Sequence, residues 1–348
     1  MAISHESIYM PSFTIGTDAY DRIGEVTGFF GEQAVIIGGA TALEKVHAYL
    51  LPALAQQDIR VLEVVPYGGE ATMESVASLV TNPFIQAGQM IFGVGGGRAL
   101  DTAKLAAADN THKPFFAFPT TPSTGAAATA VATLYQEDGT FGGYFPVRRP
   151  AVHTFLHTPI LMTAPWEHFR AGLATALSHL WAAQSQQALR NEMLTSFLQY
   201  GEQALTDFKN HTLSAAVEKA FIQIIIQAGM PTVFGRTADG EAAAREFSAQ
   251  DLYHVVAGVP SIRQTTCFGE ALALGLLLLT VRRRQEDVYR QLYAFYKKIG
   301  LPCSLADMAA PEVWAREIAA ASREENESAA AAFQQALAEL VDKSKEQP

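Results

Sequence analysis

Along its first 160 or so residues the chain alternates two kinds of apolar pattern. Ala34-Val35-Ile36-Ile37, Val61-Leu62-Glu63-Val64-Val65, Gln89-Met90-Ile91-Phe92 and Pro114-Phe115-Phe116-Ala117 are short, nearly continuous apolar runs, the signature of strands buried on both faces. Between them lie stretches of good helix formers, Thr41 to Leu54, Thr72 to Leu79 and Ala99 to Ala108. Strand-helix alternation of this kind predicts a mostly parallel sheet with helices packed on it, an α/β architecture. After Pro165 the strand pattern stops. Ala-, Leu-, Gln- and Glu-rich stretches of helical period then run on, broken at Gly229-Met230-Pro231, Gly258-Val259-Pro260 and Gly300-Leu301-Pro302. The change near 157–165 predicts an α/β domain over 1–160 and an all-helical domain over 161–348, and the tail from Ser322 reads as one more surface helix. Ala271 to Val281 is the most apolar stretch; it is about half the ~20 residues a membrane helix needs, so it is expected as a core helix, its end favoured by the cations of Arg282-Arg283-Arg284.

Composition narrows the function. A chain of 348 residues, 49% hydrophobic, can build two cores. A net charge of −10 without a basic block argues against nucleic acid and anionic membranes as partners. Two cysteines, Cys267 and Cys303, without CxxC spacing fit a reducing compartment. The start MAISHESIYMP lacks the charged and apolar regions of a leader, so a cytoplasmic enzyme is expected.

The candidate chemistry begins at Gly93-Val94-Gly95-Gly96-Gly97-Arg98-Ala99-Leu100-Asp101-Thr102-Ala103-Lys104, where a predicted strand hands over to a predicted helix. Unpaired N–H groups and the positive pole of a helix favour a bound anion there, and glycine lets the backbone approach it. A second small, hydroxyl-rich loop follows the next apolar run, Phe118-Pro119-Thr120-Thr121-Pro122-Ser123-Thr124-Gly125-Ala126-Ala127. Two such loops at neighbouring strand ends point to a nucleotide's pyrophosphate and carboxamide. Either loop alone would equally serve as a plain turn with capping hydroxyls.

Together, the two segments resemble the iron-containing alcohol dehydrogenase and glycerol dehydrogenase superfamily, within it the glycerol dehydrogenase and hydroxycarboxylate dehydrogenase branch. The resemblance runs on through Tyr9 to Gly16, Gly69-Glu70-Ala71, the hairpin-like Tyr135-Gln136-Glu137-Asp138-Gly139, Thr163-Ala164-Pro165, Ala171-Gly172-Leu173-Ala174 and Gly269-Glu270-Ala271-Leu272-Ala273-Leu274-Gly275. It implies a dehydroquinate synthase-like fold, a Rossmann-like domain followed by a helical one with the active site in the cleft between them. It also implies NAD or NADP, held by Gly95, Gly96, Gly97, Asp101, Lys104, Thr120, Thr121, Ser123 and Thr124, a small-molecule substrate, and a homo-oligomer. The turn Ile37-Gly38-Gly39-Ala40-Thr41 carries no carboxylate for a ribose 2′-OH, which leaves NADP open, although no nearby arginine announces a 2′-phosphate pocket.

The same resemblance implies a divalent metal held by one Asp and two His, and here the chain departs from it. Thr175 stands at the Asp position, Tyr253 at the first His position with His254 one step away, and Phe268 at the second. A metal in such a site polarises the carbonyl or lowers the alcohol's pKa; Thr, Tyr and Phe do not replace those ligands, so no metal is expected. His179 and His254 alone would make a poor shifted site, lacking a carboxylate. The catalytic group stays unassigned, with His157, His179 and His254 as candidates and Arg148, Arg149 and Tyr253 as further polar groups near the expected cleft. Cys267 reads as a small buried hydrophobe rather than a nucleophile. Two readings follow: an NAD(P)-linked oxidoreductase of small alcohols, hydroxy acids or ketones that works without the metal, or a nucleotide-binding protein that has lost turnover.

Overall fold

In a computed structural model of the chain, the described residues are 9–110, 113–182, 187–230, 259, 262, 266–317, 335 and 338–340. The apolar runs become strands β1 (Phe13–Gly16), β2 (Gln33–Gly38), β3 (Arg60–Pro66), β4 (Met90–Gly95), β5 (Phe115–Pro119) and β8 (His153–His157). They form one six-stranded sheet in the order β1-β8-β5-β4-β2-β3, and each neighbouring pair in it is parallel. A separate antiparallel hairpin, β6 (Val131–Tyr135) and β7 (Phe141–Pro146), realises the excursion read at Tyr135–Gly139.

Helices cover both faces of the sheet. On one face α2 (Ala40–Gln56) buries Val46, Leu50 and Leu54 against Ala34, Ile36, Phe92, Phe118 and Phe155. On the other, α3 (Met73–Val80), α4 (Pro83–Ala87) and α5 (Gly97–Asn110) pack on Val35, Ile37, Ile91 and Phe115. Capping follows the expected chemistry: the Thr72 side chain accepts from the Ser75 amide, and Asn82 from Phe84 and Ile85 ahead of Pro83. The order of the strands fixes where a ligand belongs. From β2 the chain steps outward to β3, then crosses back to β4 on the other side of β2. The C-terminal ends of β2 and β4 are therefore a topological switch point, and the glycine loop is the exit from β4.

Beyond Pro165 the regular elements among the described residues are helical, as the pattern predicts: α7 (Trp166–Ala182), following the short α6 (Thr158–Leu161), then α8 (Gln187–Lys209), α9 (Ala215–Ile225), α10 (Phe268–Arg282) and α11 (Glu286–Ile299). The apolar Ala271–Val281 stretch lies inside α10 and is buried on every side, and no described helix is long and apolar enough to cross a membrane. The tail from Ser322 falls mostly outside the described residues.

The helical part meets the sheet part through backbone. A Cβ built on Gly172 of α7 would lie 2.2 Å from the Pro122 carbonyl oxygen, in the second loop. One built on Gly269 of α10 would lie 1.9 Å from the Ala171 carbonyl oxygen. Loop, α7 and α10 thus touch main chain to main chain, with glycine at each crossing. Gly269→Ala is expected to lower the unfolding free energy by about 3 kcal/mol, because rigid backbone must move to admit the methyl group; urea denaturation measures it, and a loss under 1 kcal/mol would refute the crossing.

Candidate functional site

The two loops meet as the spacing predicts. β4 and β5 are in register with Gly95 beside Pro119, and the Thr120 amide donates to the Gly95 carbonyl at 3.1 Å. Gly95 has φ +146°, where a Cβ is strained, and lets β4 turn sharply into α5. A Cβ on Gly97 would stand 2.8 Å from Thr124 Oγ1, and one on Gly96 3.1 Å from Thr121 Oγ1. Thr121 and Ser123 share a hydroxyl contact of 3.2 Å. Gly96, Gly97, Thr121, Ser123 and Thr124 all keep solvent contact, whereas Thr120 is buried. The first amides of α5 lack partners within the helix, so the crevice offers N–H donors on one side and hydroxyls on the other. Its chemistry suits an anion.

Asp101 and Lys104 lie deeper. They sit one and two turns down α5, roughly 6 and 10 Å from its start at 1.5 Å per residue, and both are buried. Lys104 Nζ donates to Asp101 Oδ1 at 2.8 Å, Thr129 Oγ1 at 2.9 Å and the Val131 carbonyl at 2.7 Å. Asp101 Oδ2 accepts from the Thr133 amide at 3.1 Å. Burial pushes the carboxyl up and the ammonium down, and their mutual contact opposes both shifts. The pair ties α5, whose tip is the glycine loop, to the far end of the second loop and to β6. Thr129 is the partner that sequence reasoning missed; the i,i+3 spacing of Asp101 and Lys104 was the available signal.

The catalytic candidates are scattered. His157 ends β8, its ring buried between Tyr20 and Tyr49 at 4.6 and 4.8 Å. Its Nδ1 has no hydrogen-bond partner among the described residues, and burial lowers its pKa, with Asp21 opposing. His179, in the last turn of α7, has Nδ1 3.3 Å from the Ala228 carbonyl, and burial pulls its imidazole down to about 4. His254 and Tyr253 lie outside the described residues. Arg148 and Arg149 do not border the cleft. They precede β8, so parallel pairing leaves them at the strands' N-terminal edge, where both guanidiniums lie 6.0 Å from the Tyr9 ring. Burial also holds the Cys267 thiol above its usual range, which disfavours a nucleophile.

His179 gives the fold a pH dependence of definite sign. Its folded pKa is depressed, so in the window from about 6.5 down to 4 the unfolded chain binds a proton that the folded chain does not, and stability falls as pH falls. The residual solvent contact of the ring trims the full effect to about 2 kcal/mol. Urea midpoints at pH 7.5 and 4.5 should differ less for His179→Gln than for the unmodified chain; equal differences would remove His179 as the source.

Of the three positions that the resemblance assigns to a metal, 175 and 268 lie near one another, while Tyr253 is outside the described residues. Thr175 Oγ1 donates to the Ala171 carbonyl at 3.0 Å, the same carbonyl against which Gly269 packs, and Phe268 is next to Gly269. Their chemistry does not fit a divalent cation: a buried hydroxyl already spent on its own helix and a hydrocarbon ring supply no ligand. Among the described residues no three His, Cys, Asp or Glu side chains stand together as a metal-binding group.

Residues 11–153 match the family model for iron-containing alcohol dehydrogenases. The chain is similar to glycerol dehydrogenases. It is 25% identical over 312 residues to the glycerol dehydrogenase of Escherichia coli O6:H1, covering 84% of this chain and 82% of that one. Against the hydroxycarboxylate dehydrogenase A of Escherichia coli K12 it is 29% identical over 239 residues, or 63% and 62% of the two chains. The crystal structure of glycerol dehydrogenase from Schizosaccharomyces pombe superposes with a TM-score of 0.81 at 21% identity, covering 99% of this chain and 93% of that one.

Proposed function

We propose that this chain is an NAD(P)-linked oxidoreductase that interconverts a small alcohol or hydroxy acid with its ketone or aldehyde, without the metal its relatives' ligand pattern provides. The meeting of Gly96 and Gly97 with Thr121 and Thr124 at the switch point carries the reading. In it, the amides of Gly96 and Gly97 and the hydroxyls of Thr121, Ser123 and Thr124 bind the dinucleotide's phosphates and carboxamide. Gly95 and Thr120 set the two loops in register, and Asp101 and Lys104 act as positioning residues behind them. The dinucleotide supplies or accepts the hydride. Residues 1–160 form the cofactor domain and 161–348 close the cleft over it, with α7 seated on the second loop.

Either dinucleotide suits the end of β2. The turn there has no carboxylate: the Tyr67 ring covers Gly39, with Cε1 3.2 Å from a built Cβ. An arginine that sequence reasoning passed over, Arg98, stands in the first turn of α5 and pairs with Glu70 at 3.1 Å. It is a cation within reach of a 2′-phosphate's field.

Calorimetric titration with NADH and NADPH, followed by a screen of aldehydes, ketones and keto acids before and after EDTA, tests the proposal. The expected result is tight binding of at least one dinucleotide and turnover that EDTA leaves unchanged. Activity abolished by EDTA and restored by Zn or Fe would overturn the metal-independent reading. The lack of ligands at Thr175 and Phe268 favours a second reading, a nucleotide-binding protein without turnover; tight dinucleotide binding with no oxidation by any carbonyl substrate would establish it.

A further inference from the structure

At the end of β5 away from the glycine loop lies a cavity of about 370 Å³. Phe115, Leu105 and Val147 are among the apolar residues that line it, Tyr9, Lys113, Arg148 and Arg149 stand around it, and Lys104, paired with Asp101, borders it from α5. The volume falls in the range of small-molecule pockets. Among the described lining residues there is no carboxylate, and neither guanidinium has an ion-pair partner among the described residues. Lys113 is held in place, its Nζ donating to the Gln86 carbonyl at 2.6 Å and to that of Gly88. Of the four cations beside these walls, Lys104 has its counter-charge in Asp101, and Lys113, Arg148 and Arg149, with Tyr9 under both arginines, are left without a described one.

We propose that this cavity binds a small organic anion with an apolar body, its carboxylate or phosphate head on Arg148, Arg149 and Lys113 and its body against Phe115 and Leu105. Arg prefers such planar or tetrahedral oxyanions because its fork offers paired donors, and the apolar walls select an aryl or short alkyl group over bare phosphate. β5 is five residues long, so at roughly 3.3 Å per residue the cavity is more than 10 Å from the glycine loop. The two sites are separate.

Calorimetric titration with phenyl phosphate, benzoate, inorganic phosphate and benzyl alcohol tests it. Phenyl phosphate or benzoate should bind saturably with one site per chain, inorganic phosphate at least tenfold more weakly, and benzyl alcohol not at all. Arg148→Ala/Arg149→Ala should weaken the organic anion at least tenfold, while Gly97→Val, which alters only the other site, should leave it unchanged. The arginines are exposed and half-exposed, so the double variant should keep the unmodified far-UV circular dichroism; Tyr9→Leu gives an independent second variant with a smaller loss. No saturable binding by either organic anion, equal affinity in the double arginine variant, or inorganic phosphate binding as tightly as phenyl phosphate would overturn the proposal. Loss of binding in Gly97→Val would overturn it too, by moving the anion to the other loop.

Discussion

Lys104→Met is expected to lower the unfolding free energy by about 4 kcal/mol at neutral pH. The substitution keeps the volume and removes only the ammonium. It leaves the Asp101 carboxylate buried with one amide donor, Thr133, and strips a donor from Thr129 Oγ1 and from the Val131 carbonyl. Breaking a buried pair from one side costs about 3–5 kcal/mol, because the remaining charge keeps its desolvation penalty. Removing both charges should cost less than removing one, so Asp101→Asn/Lys104→Met should recover part of the loss. Urea denaturation of the single and double variants decides the matter: a single-variant loss under 1 kcal/mol, or a double variant no better than Lys104→Met, would show that the pair does not anchor the loops.

Gly97→Val is expected to weaken dinucleotide binding about 100-fold, or close to 3 kcal/mol, with little change in unfolding free energy. Gly97 opens α5 and keeps solvent contact, so a side chain there presses on the Thr124 side chain and the crevice rather than on the core. A Cβ would stand 2.8 Å from Thr124 Oγ1, and a valine's two methyl groups would occupy the gap between the amides and the hydroxyls that the proposed function gives to the phosphates. Titration with NADH and NADPH reads the effect. Undiminished affinity in a folded variant would place the dinucleotide elsewhere.

Much of this was legible because it is local. The glycine loop, the hydroxyl loop and the runs that became β2, β4 and β5 are contiguous signals, and parallel strands fed by crossover helices put both loops at one end of the sheet. What was not legible depends on pairings distant in sequence. β1 pairs with β8, about 140 residues away, and no local pattern announces it. That pairing and the direction of β8 send Arg148 and Arg149 to the opposite edge from the loops. The resemblance assigned Asp101 and Lys104 to the cofactor through their place in the glycine motif. The face they occupy is set by β6, which follows some 30 residues later. His157 was visible as a candidate side chain, but its enclosure by Tyr20 and Tyr49 comes from a turn near the N-terminus and from α2. Gly172, lying within a helical pattern, was a visible sign of close packing whose partner, Pro122, only the structure names.

The main-chain crossings of α7 with Pro122 and of α10 with Ala171 have a consequence for how this chain can vary. Positions 172 and 269 are closed to every side chain, since even a methyl group meets a carbonyl oxygen there. Positions 175 and 268, a turn and a single step away, hold a hydroxyl bonded within its own helix and a ring beside the core. The Ala171 carbonyl is therefore shared at this junction: it takes the Thr175 hydroxyl from its own helix and the bare face of Gly269 from the next, so a change at 175 is felt at the crossing that joins the helices.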